Sequence, residues 1–333
     1  MFLKWRSEIC DSLANLLYFC HRFYTIFKMK RYTCIVLAAF LMFGKGTAEA
    51  QNGYNVEKLN RIQELWASLN PKSVTLTPYL AEYDGKLHTA IIVCPGGSYS
   101  WHDTETEGTG VAKWLQKNGI SAFVLNYRVA TGFAYASHYR LLFRGNRFPD
   151  AFVDVQRAIQ FVRKYAAVYS VNPNDVGVMG FSAGGHLAMA SGEYFNTDYA
   201  GFGWLESRRP DFVVPVYPVV TFTDKRYMHK RSRKGLIGEW HTKEMNDSLS
   251  IEHHVKHDTP RAFIVNCVDD PIVKYQNSEL LDSALTAKGI EHRYIQYKTG
   301  GHGFGASDEK GTEECRQWRG EFLEWLKSSG RAH

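Results

Sequence analysis

Apolar and polar positions along the chain follow two alternating regimes. TAIIVC, from Thr89 to Cys94, and SAFVLNY, from Ser121 to Tyr127, are short continuous apolar runs, the pattern of strands buried on both faces of a sheet. Between them Val111, Trp114 and Leu115 fall at helical spacing. In DAFVDVQRAIQFVRKYA the residues Phe152, Val155, Ile159 and Val162 form one stripe, which predicts a helix ahead of the strand DVGVMG. A helix-like run follows Ser182. Beyond it come DFVVPVYP, then RAFIVNC, a helix from about Asn277 to Ala287, HRYIQY, and a last helix with Trp318, Phe322, Trp325 and Leu326 on its apolar face. Such alternation predicts an α/β fold, a mainly parallel sheet flanked by helices on both faces. Two excursions, 128–147 and 221–260, interrupt the rhythm with mixed charges and aromatics. In an α/β sheet such segments lie beyond the strand ends, where ligands bind. No internal repeat or shift in composition marks a second domain, so 51–333 reads as a single domain.

The first fifty residues obey neither regime and read as a leader. Met29, Lys30 and Arg31 form a basic start, YTCIVLAAFLMF (Tyr32 to Phe43) is an apolar stretch short for a membrane span, and Ala48-Glu49-Ala50 is a small-x-small cleavage site. This predicts export to the periplasm or exterior, cleavage near Ala50–Gln51 and no stable membrane anchor. Residues 1–28 fit no signal architecture, and Met29 is the expected start of translation. The formal net charge is +6. Much of that excess lies in the leader, at Lys4, Arg6, Arg22, Lys28, Lys30, Arg31 and Lys45, so the body is close to neutral and gives no reason to expect a nucleic-acid partner. Cys94, Cys267 and Cys315 remain after the leader. They lack metal-ligand spacing and read as small buried hydrophobes, without a disulfide framework.

Four patches fall just after expected strands and complement one another chemically. They are CPGGSYSW, Ser182 within GFSAG, VDDP and TGGHGFG. C-terminal ends of parallel strands share one edge, so residues remote in sequence can meet there. Gly180-Phe181-Ser182-Ala183-Gly184 has the G-x-S-x-G form of a nucleophile elbow, in which a strand-to-helix turn holds the serine hydroxyl out. A serine needs a base, and an imidazole acting as base needs a carboxylate to fix its tautomer. His302, framed by glycines, supplies the base, and Asp269 or Asp270 the carboxylate. The developing oxyanion needs donors, for which the N–H groups of Gly97, Ser98 and Ala183 stand in suitable positions, the last at a helix start. No metal or organic cofactor is required.

These motifs carry a resemblance. CPGGSYSW with EGTGVAKWL, LNYR, RFPDAFVDVQRAI, NPNDVGVMGFSAGGHLA, TPRAFIVNCVDDPIVKYQNS and GGHGFG together resemble the α/β-hydrolase esterases and lipases, in particular secreted bacterial acetylesterases of the acetyl xylan esterase kind. The resemblance extends over nearly all of the mature chain. It implies an α/β-hydrolase fold and a short-chain acyl ester, acetyl above all, on a plant-type polysaccharide or oligosaccharide as substrate. It also implies that the first aspartate of the D-D-x-V pattern, Asp269, is the triad acid. The family's glycine-rich loop commonly reads P-G-G-G; Ser98 replaces the last glycine here, which leaves the backbone donor in place. Two other functions share parts of this signature: a serine peptidase of the prolyl-oligopeptidase kind, and a non-catalytic carbohydrate-binding protein on a hydrolase scaffold. Tyr99 and Trp101, just past the glycine loop, are candidates for a substrate pocket, with ordinary core packing as the alternative reading. His186 is expected to be structural. His253, His254, His257 and Asp258 read as a solvated loop rather than a metal site. The basic run Asp224 to Gly235 reads as a loop at the mouth of the site.

Overall fold

A computed structural model describes residues 53–131, 145–201 and 203–328. The leader and the centre of the first excursion lie outside the described residues. The chain divides into two units, 1–49 and 50–333, and the fold is that of the second.

Helix α1 (Val56–Leu69) opens the unit, capped by the Asn55 side chain accepting from the Lys58 N–H. Seven strands follow: β1 (Thr75–Tyr79), β2 (His88–Cys94), β3 (Ser121–Asn126), β4 (Val171–Phe181), β5 (Phe212–Val216), β6 (Arg261–Cys267) and β7 (His292–Tyr297). They form one sheet in the order β1-β3-β2-β4-β5-β6-β7. Every pairing is parallel except β1 with β3. The antiparallel strand was not evident in the pattern of apolar positions. TLTPY is short and carries Pro78, a residue that an edge strand tolerates because one side of its backbone needs no donor.

The connecting helices are α2 (Gly110–Lys117), α3 (Asp150–Lys164), α4 (Ala166–Tyr169), α5 (Ala183–Glu193), α6 (Lys230–Ile237), α7 (Lys243–Ser248), α8 (Gln276–Ala287), α9 (Glu313–Arg316) and α10 (Trp318–Ser328). Strand alternation feeds two cores, one on each face of the sheet. Ala90, Ile92 and Cys94 of β2 join Phe152, Ile159, Leu187 and Leu281 on one side. Ile91 and Val93 join Val111, Leu115, Trp318 and Phe322 on the other. The stripes expected for α3 and α10 therefore do face the sheet. Fully burying a side chain such as Phe322 contributes on the order of 1.5–3 kcal/mol. Helix α5 is buried along its whole length, which its small residues permit.

Register decides where the loops emerge. Cys94 pairs with Gly180, Phe181 with Val216, Val216 with Val265, and Cys267 with Tyr297. The last residues of β2, β4, β5, β6 and β7 thus line one rim, and the four sequence patches follow β2, β4, β6 and β7. Strand β3 lies on one side of β2 and β4 on the other. The strand order reverses there, and the crevice at such a reversal is where ligands bind in α/β sheets.

Candidate active site

Ser182 occupies the turn between β4 and α5 with φ 55° and ψ −116°. A non-glycine residue held there stores on the order of 1–3 kcal/mol of strain, which the surroundings must impose. Here the Ser182 N–H donates to the Val216 carbonyl (3.0 Å), and its own carbonyl accepts from the N–H groups of His186 (3.2 Å) and Val219 (3.1 Å). The flanking glycines are there for close approach. A Cβ on Gly180 would run into the Gly184 carbonyl, and one on Gly184 into the Cys94 carbonyl. The elbow expected from G-x-S-x-G is therefore present in the backbone.

His302 lies in the glycine-rich loop after β7, with its side chain 13% exposed. Its Nδ1 is 2.6 Å from Oδ2 of Asp270. Asp269, expected as the partner of His302, is not that partner. Its two carboxylate oxygens accept the N–H groups of Gly300 (3.2 Å) and Gly301 (2.8 Å), so it shapes the histidine loop from outside. The difference arises in the turn. Oδ1 of Asp270 accepts from the N–H groups of Ile272 (2.8 Å) and Val273 (2.9 Å), which folds its side chain inward and leaves Oδ2 facing the ring. Asp270 is buried, whereas Asp269 is exposed. The His302 ring also lies against Tyr217, with centroids 4.6 Å apart. Since Tyr217 directly follows Val216, the acceptor for Ser182, histidine and serine share one corner of the rim.

Pro95 to Trp101 form a tight loop beside the elbow. Gly97, Ser98 and Tyr99 have φ of 133°, 57° and 55° in succession. A Cβ on Gly97 would run into the Trp101 carbonyl, so both the dihedral and the space require glycine. A Cβ on Gly96 would stand 3.0 Å from Cβ of Ser182, so the loop lies against the serine. Among the described residues none accepts the N–H of Gly97 or Ser98. The Gly96 N–H is taken by Oε2 of Glu107 (2.7 Å). Ala183 begins α5, where the positive end of the helix dipole lies.

The two aromatic candidates separate. Tyr99 is not a pocket residue: it is 1% exposed, with its hydroxyl 2.8 Å from Nδ1 of His186. Positive φ at Ser98 and Tyr99 turns the Tyr99 ring into the core. Trp101 is 42% exposed, with the Arg231 guanidinium 5.9 Å from its ring. His186 is buried and its Nε2 is 2.8 Å from the Leu249 carbonyl. Burial pushes its pKa down to about 4, so it is neutral, donates from Nε2 and accepts the Tyr99 hydroxyl at Nδ1.

The basic run Asp224 to Gly235 does not remain a loop: its second half is the start of α6. Lysine and arginine are good helix formers, and Ser232, Arg233 and Gly235 turn inward. Gly235 packs on the Ser98 carbonyl and on Cβ of Tyr99. The run thus braces the glycine loop. His229 stands at the N-cap position of this helix, its Nδ1 2.8 Å from the Ser232 hydroxyl rather than bonded to a backbone N–H. Burial, then the charges of His302 and Arg231, push its pKa down to about 4. Neither His229, within the basic run, nor Glu107, at the head of EGTGVAKWL, was expected as a site residue. Each sits among similar neighbours, and only the fold brings it to the rim. His253 and His254 both turn to Asp247.

Comparison with known proteins agrees with this architecture. The acetylxylan esterase of Xylanibacter ruminicola is 34% identical over 220 residues, 65% of this chain and 41% of that protein. The endo-1,4-beta-xylanase B of Butyrivibrio fibrisolvens is 32% identical over 241 residues, 71% of this chain and 35% of that protein. The chain spans less than half the length of these curated relatives. The crystal structure of an acetyl ester-xyloside bifunctional hydrolase from Caldicellulosiruptor lactoaceticus superposes with a TM-score of 0.69 at 33% identity, covering 80% of this chain and 92% of that one. The fold is that of the α/β hydrolases. The BD-FAE family model matches residues 76–285, from the first strand to α8, the helix before the last strand. The chain belongs to the BD-FAE family.

Proposed function

We propose that the chain is an exported serine esterase that removes short acyl groups, acetyl above all, from plant-type polysaccharides or oligosaccharides. The observation that carries this reading is the 2.6 Å pairing of His302 with Asp270 at the corner where the Ser182 elbow emerges. The acetylxylan esterase relative supports the choice of acyl group and sugar.

With Nδ1–H donated to Asp270, the lone pair of the neutral imidazole is on Nε2. That nitrogen takes the hydroxyl proton as Oγ of Ser182 attacks the ester carbonyl, and Asp270 steadies the imidazolium. Negative charge moves to the carbonyl oxygen, where the N–H groups of Gly97, Ser98 and Ala183 receive it. Collapse breaks the bond to the sugar oxygen, which leaves with the proton from His302. Water, deprotonated by the same nitrogen, attacks the acyl-enzyme, releasing the acid and restoring Ser182.

Release of acetate from a chromogenic acetyl ester and from acetylated xylo-oligosaccharides tests the reading. Ser182→Ala should lower kcat at least ~10³-fold with little change in melting temperature. Retained hydrolysis in this variant, cleavage of peptide amides in preference to esters, or sugar binding without hydrolysis would reject it. Export is tested separately: secreted material should begin at about Gln51 on N-terminal sequencing.

A further inference from the structure

Glu107 belongs to neither the serine elbow nor the His302–Asp270 pair, yet it joins the loops that hold them. It lies in the π-helical turn Thr104–Thr109 that runs into α2 and is 3% exposed. Its Oε2 accepts the Gly96 N–H at 2.7 Å. Its Oε1 accepts the Tyr217 hydroxyl at 2.9 Å, and that hydroxyl in turn accepts the Gly305 N–H at 3.0 Å. Gly96 precedes the expected oxyanion donors, Gly305 lies three residues beyond His302, and the Tyr217 ring rests on His302. One buried carboxylate therefore ties the glycine loop to the histidine loop. Both of its oxygens face donors, an arrangement that suits the ionised form.

We propose that Glu107 is a positioning residue whose negative charge holds the oxyanion and histidine loops together and favours the imidazolium that His302 becomes during acyl transfer. The proposal rests on the esterase reading. Two charges in a water-poor interior interact more strongly than in solvent. Carboxylate and imidazolium therefore stabilise each other at the moment when the proton has left Ser182. The groups facing Glu107 are Tyr217 from the end of β5, His302 from the loop after β7, Tyr127 from just after β3, Asp103 from its own turn, and the Gly96 N–H. Burial pushes its carboxyl up to about 7, against the opposing pull of His302, Tyr217 and Gly96. Below that pH it gains a proton, which must displace one of its two donors and slacken the tie.

Three measurements test this. In Glu107→Gln, an isosteric neutral change, kcat for the acetyl ester should fall roughly 10- to 100-fold, less than the loss of an oxyanion donor can cost, with KM within about threefold. The acid limb of its pH profile should move to lower pH, because His302 loses a neighbouring anion. In Tyr217→Phe the limb should instead move to higher pH, because Glu107 loses a donor and keeps its proton longer. NMR titration of the His302 ring in the resting protein should show a lower midpoint in Glu107→Gln than in the wild type. An unchanged midpoint and acid limb would overturn the proposal, whatever happens to stability. The titration does not depend on hydrolysis, so an inactive wild type would defeat the esterase reading while the ring midpoint still judged Glu107. If Glu107→Gln does not fold, the direction of the Tyr217→Phe shift decides.

Discussion

Two adjacent aspartates show how much one turn can decide. Asp269 and Asp270 are chemically identical, yet one faces two loop amides and the other an imidazole. Asp270→Asn should lower kcat roughly 10³- to 10⁴-fold, since an amide cannot hold the donating Nδ1 tautomer. Asp269→Asn should cost less than about tenfold, because its amide oxygen still accepts a loop N–H. Steady-state kinetics of the two variants separates the roles, and the reverse order of losses would return the acid's role to Asp269. The pairing of one aspartate with His302 was legible in the sequence only as an either-or. Neighbours in a turn point in different directions, and which points inward depends on the amides of Ile272 and Val273. Tyr99 was misplaced for a related reason. A left-handed backbone reverses the direction expected for a side chain, and no residue pattern around Ser98 announces it.

At the scale of elements, helices around the rim are fixed to the sheet by buried polar groups as well as by apolar stripes. Arg128, after β3, grips Asp154 and Asp150 of α3. Gln156 and Gln160 on α3 donate to the carbonyls of Thr197 and Glu206 (each 2.8 Å). Glu193, at the end of α5, is buried and accepts the Thr259 hydroxyl at 2.8 Å. Burial pushes its pKa up to about 8. A carboxyl raised in the folded state stabilises the fold fully below its unfolded value of ~4.3. That contribution is lost as pH rises toward about 8, because the unfolded chain ionises while the native one retains its proton. Glu193→Gln should therefore flatten the decline in melting temperature between pH 5 and pH 8. An unaltered decline in a calorimetric pH series would contradict the assignment. The 221–260 excursion follows the same logic: it was legible as a departure from the strand–helix rhythm but not as a brace, because α6 gains its meaning from packing on Tyr99.

At the scale of the whole molecule, reversal of strand order between β2 and β4 brings glycine loop, elbow and histidine loop to one rim. The unit that does this begins near residue 50, and its first helix is part of the core. Trp66 is 3% exposed, edge-on to Phe161, and donates from Nε1 to the Val74 carbonyl at 3.2 Å. A chain of residues 51–333 should thus match the full chain in melting temperature and in the proposed esterase activity. Starting at residue 71 instead should cost at least ~3 kcal/mol, the scale of removing one buried tryptophan. Chemical denaturation of the two truncations checks this; equal stability would show that α1 is dispensable. Among the described residues no helix is long and apolar enough to cross a membrane.

The sequence by itself determined the class of fold and marked Ser182 and His302 as the candidates on which the proposed mechanism turns. Continuous apolar strands alternating with helical stripes leave few ways to bury both faces of a sheet, and small residues around Ser182 leave few ways to turn the chain. The tertiary structure alone decided which aspartate meets His302, that Tyr99 is core while Trp101 is surface, and that Glu107 joins two loops. Those outcomes depend on side-chain direction and on partners distant along the chain, quantities that the local pattern of residues does not contain.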